Sequence, residues 1–214
     1  RTLAGIEIDG DLRVESGTTT IGAEGSVDVL EDLRTSGTGT LAMTEGDAML
    51  IVEGDATFSG AEMTAFDDGL LEVRGTFAQT GGCGSAGERA FRPSGVHETK
   101  LSGSADQSIS FACADTTGNG SKFHRLIIEN DKLVTFSTGA YIASHVDVSE
   151  GSEETASGDA EVVVKGNITD ASGRWRVNNT RVAGSNNTLR GNMKNVRFAD
   201  DFTLQGRLTA ENVT

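Results

Sequence analysis

The residues best suited to chemistry are Cys83 and Cys113, the histidines His97, His124 and His145, and the aspartate pairs Asp67–Asp68 and Asp200–Asp201. Joined as a disulfide, the cysteines close a loop of about 30 residues, worth roughly 3–4 kcal/mol, and imply an oxidising compartment. Free thiols or a catalytic cysteine remain alternatives at this stage. A metal site needs more ligands than two thiols, and no histidine lies beside them in sequence. Paired acids hydrolyse polysaccharides in several elongated β proteins. Here the two pairs are far apart in the chain and read as solvated turns. Asp9-Gly10-Asp11 and Gly54-Asp55 faintly resemble calcium turns, but the glycine- and aspartate-rich nonapeptide of calcium β-rolls is absent, so calcium is a weak expectation and no other cofactor is expected. Phosphate loops, zinc helices and nucleophile elbows are not found. Asn-x-Ser/Thr sequons stand at Asn119, Asn167, Asn178, Asn186 and Asn212, and each is a candidate glycosylation site.

What positions these residues is a repeat. Leu50, Val52, Gly54, Ala56 and Phe58 are followed 21 residues later by Leu71, Val73, Gly75, Phe77 and Gln79. The frame slides back by 23 onto Val27, Val29, Glu31, Leu33 and Thr35, and by a further 21 onto Ile6, Ile8, Gly10, Leu12 and Val14. Apolar residues alternate within each copy. A period in the low twenties marks a solenoid, whose coils bury their apolar side only against neighbouring coils. The 28 glycines, one proline and 5% aromatics, with abundant Thr, Ser and Val, favour turns and short strands over helices. The expected fold is all-β: a β-solenoid, right-handed and parallel, with coils of about 21–23 residues. Glycines such as Gly10, Gly54 and Gly75 are expected where the backbone needs positive φ or close approach.

The whole chain, residues 1–214, reads as a single β-solenoid domain. Residues 1–79 form regular coils. In residues 80–121 the rhythm breaks into a glycine-rich loop and two alternating runs around Gly103-Ser104-Ala105-Asp106, expected to be a β-hairpin standing off the rod. Residues 122–214 resume the coils. Asn178, Asn179, Asn186 and Asn187 are expected to stack as ladders at turns. The frame is already running at Arg1 and still running at Thr214, as expected of a processed or excised piece.

Residues 95–111, Gly95-Val-His-Glu-Thr-Lys-Leu-Ser-Gly-Ser-Ala-Asp-Gln-Ser-Ile-Ser-Phe111, precede Ser121-Lys-Phe-His-Arg-Leu-Ile-Ile-Glu-Asn130. This resembles a segment recurring in large repetitive bacterial surface and secreted proteins, in which His…Leu-x-Gly…Gln-x-Ile-x-Phe leads into Phe-x-x-Leu-x-Ile-x-Asn. The resemblance covers about residues 90–170 and implies an extracellular, structural or adhesive parallel β-helix, with no catalytic residues attached. The cysteines lie outside it.

The net charge of −14 opposes general binding to nucleic acid or anionic lipid. No run approaches the ~18 apolar residues of a membrane span. The charge is also graded: −12 over residues 1–90, −6 over 91–170 and +4 over 171–214. In a solenoid, sequence order is position along an axis, so the rod has an acidic head and a basic tail. The expected function is therefore non-enzymatic: an extracellular building block of a surface fibre or stalk, joined end to end with copies of itself or with further repeats of a longer chain. A glycan-binding adhesin or tail-fibre module is the alternative, and a polysaccharide-degrading enzyme a more distant one.

Overall fold

The structure, a computed structural model, describes residues 1–214 except 62–64, 85, 150–154, 157–159, 171–173, 178, 185–186, 195, 200–201 and 212–214. A complete coil takes three short strands around three sides, as in Thr18–Ile21, Ser26–Val29 and Leu33–Thr35. Stacking the coils gives a ten-stranded sheet, here sheet 1, and a seven-stranded sheet, sheet 2. The third side is a three-stranded and a four-stranded sheet. Between these two, single bridges at Phe66 and Phe123 and the hydrogen-bonded stretch at Phe91 carry the third side across. Every strand pairing among the described residues is parallel.

The repeat frame is the strand register. Ile6 pairs with Val27, Val27 with Leu50 and Leu50 with Leu71, the offsets of 21, 23 and 21 found in the sequence. Alternation is what makes this work: in Ser26–Val29, Val27 and Val29 are fully buried while Ser26 and Asp28 face outward. Gly10 has φ +130°, whereas Gly54 and Gly75 meet the second expectation, close approach: a Cβ on Gly75 would sit 2.4 Å from the Gly54 carbonyl oxygen.

The expected hairpin is not there. Glu98–Leu101 runs parallel between Leu70–Val73 and Arg125–Ile128 in sheet 1. Gln107–Phe111 runs parallel between Phe77–Gln79 and Val134–Phe136 in sheet 2. Two alternating strands around a glycine corner read alike whether they fold back on each other or turn from one side of a coil to the next. Burial decides the matter, because Thr99, Leu101, Ile109 and Phe111 all point into the interior, which only adjacent coils can line. The true excursions flank this coil, before residue 98 and after residue 111. They lengthen two coils, from Leu71 to Thr99 and from Thr99 to Leu126, to 28 and 27 residues.

Phenylalanines fill the interior that these longer coils enclose. Phe58, Phe66, Phe77, Phe91, Phe111 and Phe123 are fully buried or nearly so, and Phe91 touches Phe58 at 4.6 Å and Phe77 at 4.8 Å between ring centroids. Such pairs contribute about 0.5–1.5 kcal/mol each beyond the area they bury. The single tryptophan, Trp175, is fully buried edge-on to Phe136.

Candidate functional site

At the corner between sheets 1 and 2 the aspartates form a ladder. The N–H of Asp32 donates to Asp11 Oδ1 (3.2 Å), that of Asp55 to Asp32 Oδ1 (2.9 Å) and that of Thr76 to Asp55 Oδ1 (2.7 Å). Each carboxylate thus takes the backbone donor of the next coil, which the corner geometry leaves outside the strand ladder. Arg13 donates to Asp11 at 2.6 Å and Arg34 to Asp32 at 2.7 Å. These guanidinium hydrogen bonds, with the backbone donors, hold both carboxyls below the ordinary aspartate value. Asp11 and Asp55, whose sequence stretches only faintly resemble calcium turns, are members of this ladder.

One step along the axis a side-chain network replaces the ladder. Gln107 Nε2 donates to the carbonyls of Val73 (3.0 Å) and Gly75 (2.6 Å), and its Oε1 accepts the N–H of Gly103 at 3.2 Å. Asn130 donates to Gln107 Oε1 and, at 2.9 Å, to the Ala105 carbonyl. Immediately before strand Glu98–Leu101 of sheet 1, His97 Nδ1 donates to the Asp68 carbonyl at 2.9 Å, with its ring edge-on to Phe66. His97 is completely buried, and burial lowers its pKa from 6.5 to about 4. Residues 95–130 therefore contain the polar residues that clamp two long coils to their neighbours.

The outer face of sheet 1 carries a lattice of ion pairs. Arg74 bridges Glu53 (2.5 Å) and Glu72 (3.2 Å), while Lys100 bridges Glu72 (3.4 Å) and Glu129 (2.8 Å). Burial pushes the Glu72 carboxyl up. The Ser102 hydroxyl, at 2.7 Å, and the charges of Lys100 and Arg74 outweigh it and leave the group below the ordinary value. Arg125 likewise joins Glu98, Asp147 and His145.

The corner between sheet 2 and the third side holds the two excursions, tied by the Cys83–Cys113 disulfide, with Cα atoms 5.4 Å apart. A disulfide of this kind persists in oxidising compartments. The bond joins the loop after Phe77–Gln79 to the end of the adjacent strand Gln107–Phe111, so it links neighbouring coils instead of closing a hairpin. In the second excursion Asp115 accepts the N–H (2.8 Å) and hydroxyl (2.6 Å) of Thr117 and, through its other oxygen, the N–H of Gly120. Burial raises this carboxyl, and those donors more than reverse the effect. An open cleft of about 410 Å³ lies beside it, lined by the disulfide, Glu88, Asp115 and Asn119. The loop also lies over the outside of the third side, where Gly118 sits against the Tyr141 ring and Arg181 donates to the Thr116 carbonyl at 3.0 Å. Tyr141, Val163 and Ala183 form a second buried apolar cluster there.

Asp67 accepts the Ser94 hydroxyl and Asp68 the N–H of Gly69, so the pair serves its turn, while Asp200–Asp201 lies outside the described residues. Asn119 and Asn167 are exposed, and Asn178, Asn186 and Asn212 lie outside the described residues. Asn179 adopts φ +58°, a left-handed turn position that asparagine tolerates. Among the described residues no three His, Cys, Asp or Glu side chains converge as metal ligands.

No known protein family, curated protein or solved structure matches the chain.

Sequence reasoning missed the clamp formed by Gln107 and Asn130, the Asp115 loop and the outer apolar cluster. The last had a signal: Val162-Val163-Val164 breaks alternation, as expected of a strand covered on both sides.

Proposed function

We propose that this chain is a non-enzymatic, extracellular structural element, a rod segment of a surface fibre or stalk that joins end to end with copies of itself or with further coils. The observation that carries the reading is the parallel stack combined with the charge gradient, because the stack converts −12, −6 and +4 along the sequence into polarity along an axis. Complementary ends steer association and fix its direction. The disulfide supports the extracellular placement. Light scattering at low and high salt tests the assembly, with larger species expected at low salt that dissociate as salt rises. A monomer under both conditions refutes it.

A glycan-binding module is the second reading, favoured by the disulfide-tied loop and its cleft. Since residues 98–111 form a coil of the rod, the segment to delete is 114–120. Loss of surface adhesion with the rod still folded supports this second reading.

A further inference from the structure

In a chain with 32 acidic and 18 basic residues, a cation without an acidic neighbour is unusual. On sheets 1 and 2 the bases sit against acids: Arg13 on Asp11, Arg34 on Asp32, Arg74 on Glu53, Lys100 on Glu129 and Arg125 on Glu98. The third side departs from this rule at Lys122, His124 and Lys165. None of the three forms an ion pair with a carboxylate among the described residues, and the Lys122 ammonium donates to a backbone carbonyl, that of Gly118, at 3.0 Å.

Strand register places them together. Lys122 and His124 flank Phe123, which pairs with Ile142, and Ile142 pairs with Val164. Lys165 therefore stands in the His124 column two coils further on, about 10 Å away at the usual strand spacing. Burial first, and then the charges of Arg92 and Lys165, push the Lys122 ammonium below its ordinary value, although Asp115 pulls the other way. The His124 ring is pushed down by burial and by Lys122, Arg125 and His145. Lysines that repel one another on one outer face, as Lys122 and Lys165 do, gain from a shared counter-anion.

The strip is short and bounded. Asp67 and Asp68 follow Phe66 on the same side in an earlier coil, and Glu161 precedes Val162 in the coil of Lys165 itself, where Arg181 and Arg197 of the following coils pair with it. A continuous polyanion or a membrane surface would extend over those acids, whereas a short ligand would not.

We propose that Lys122, His124 and Lys165 form a binding strip for a short acidic glycan, its carboxylate or sulfate groups meeting the two lysines. The proposal does not depend on end-to-end assembly, and a rod that never polymerised would still carry the strip.

The test is calorimetric titration of the whole chain with a sulfated heparin-type tetrasaccharide, a galacturonate tetrasaccharide and a neutral tetrasaccharide. One or both acidic sugars are expected to bind and the neutral one not, with affinity falling as salt rises. Lys122→Gln with Lys165→Gln is expected to weaken binding about tenfold or more, the equivalent of about 1.4 kcal/mol. Arg13→Gln with Arg34→Gln, on another face, is expected to leave it unchanged. Trp175 fluorescence checks the fold, and exposed Lys165→Gln alone supplies a variant with little structural risk. The proposal is overturned if neither acidic sugar binds at low salt, if the lysine variants bind like the parent, or if single-stranded oligonucleotide or phosphatidylserine vesicles bind more tightly.

Discussion

Replacing Gln107 by methionine keeps the length of the side chain and removes its polar end. The Gly103 N–H and the Gly75 carbonyl then have no other hydrogen bond among the described residues, and Asn130 loses one of its two acceptors. The Val73 carbonyl keeps the N–H of Ser102 at 3.2 Å and suffers less. At about 1–3 kcal/mol for each buried group left unpaired, the substitution is expected to cost about 2–5 kcal/mol. Urea unfolding followed by Trp175 fluorescence reads this as a lower midpoint with an unchanged slope. Asn130→Leu is expected to cost less in the methionine background than in the parent, since the two side chains share one network. A Gln107→Met unfolding free energy within about 0.5 kcal/mol of the parent's would refute the clamp.

Other consequences follow from the same geometry. His97 is buried neutral with a pKa of about 4 against 6.5 unfolded, so the unfolded chain binds the extra proton between those values. Its contribution, about 3 kcal/mol at most, is fully present above pH 6.5 and lost as pH falls to 4. Unfolding midpoints across that range should show the slope, and His97→Gln should flatten it to the residue left by half-buried His124 and His145, whose values burial also lowers. Reduction, or Cys83→Ser with Cys113→Ser, is expected to cost about 3–4 kcal/mol and to speed hydrogen exchange in residues 114–120. Equal midpoints with and without reductant would contradict this. Gly166→Ala places a Cβ 1.7 Å from the Ser144 carbonyl oxygen, and the backbone shift it forces is expected to cost more than about 2 kcal/mol in the same unfolding assay.

The sequence disclosed what repeats. Ile6, Val27, Leu50 and Leu71 could be aligned by eye because stacked coils place like residues on like residues, and β-pairing joins them in that order. It misled where local pattern is ambiguous, as in the two strands around Gly103–Asp106, since alternation records which side chains point inward and not which strand lies alongside. Polar residues with long-range duties were harder still. Gln107 and Asn130 look like surface residues until the coil brings them to one corner. The strip of Lys122, His124 and Lys165 is invisible in order, because the three become neighbours only through the register of the third side. The cysteines were legible as a pair because few alternatives existed, yet what they tie is two coils and not a hairpin.

Along sheet 1 from Glu7 to Thr169, each stretch of 20 to 28 residues advances the chain by one strand spacing along a single axis. Glu7, Asp28, Ile51, Glu72, Lys100, Ile127, Asp147 and Thr169 form one outward column on sheet 1. Spin labels at Glu7 and Ile127, at Asp28 and Thr169, and at Glu7 and Thr169 are five, six and seven rungs apart in that column. Pulsed dipolar spectroscopy should give separations of about 24, 29 and 34 Å, rising by one strand spacing per rung. Separations that do not increase with rung number would contradict the solenoid and everything argued from it.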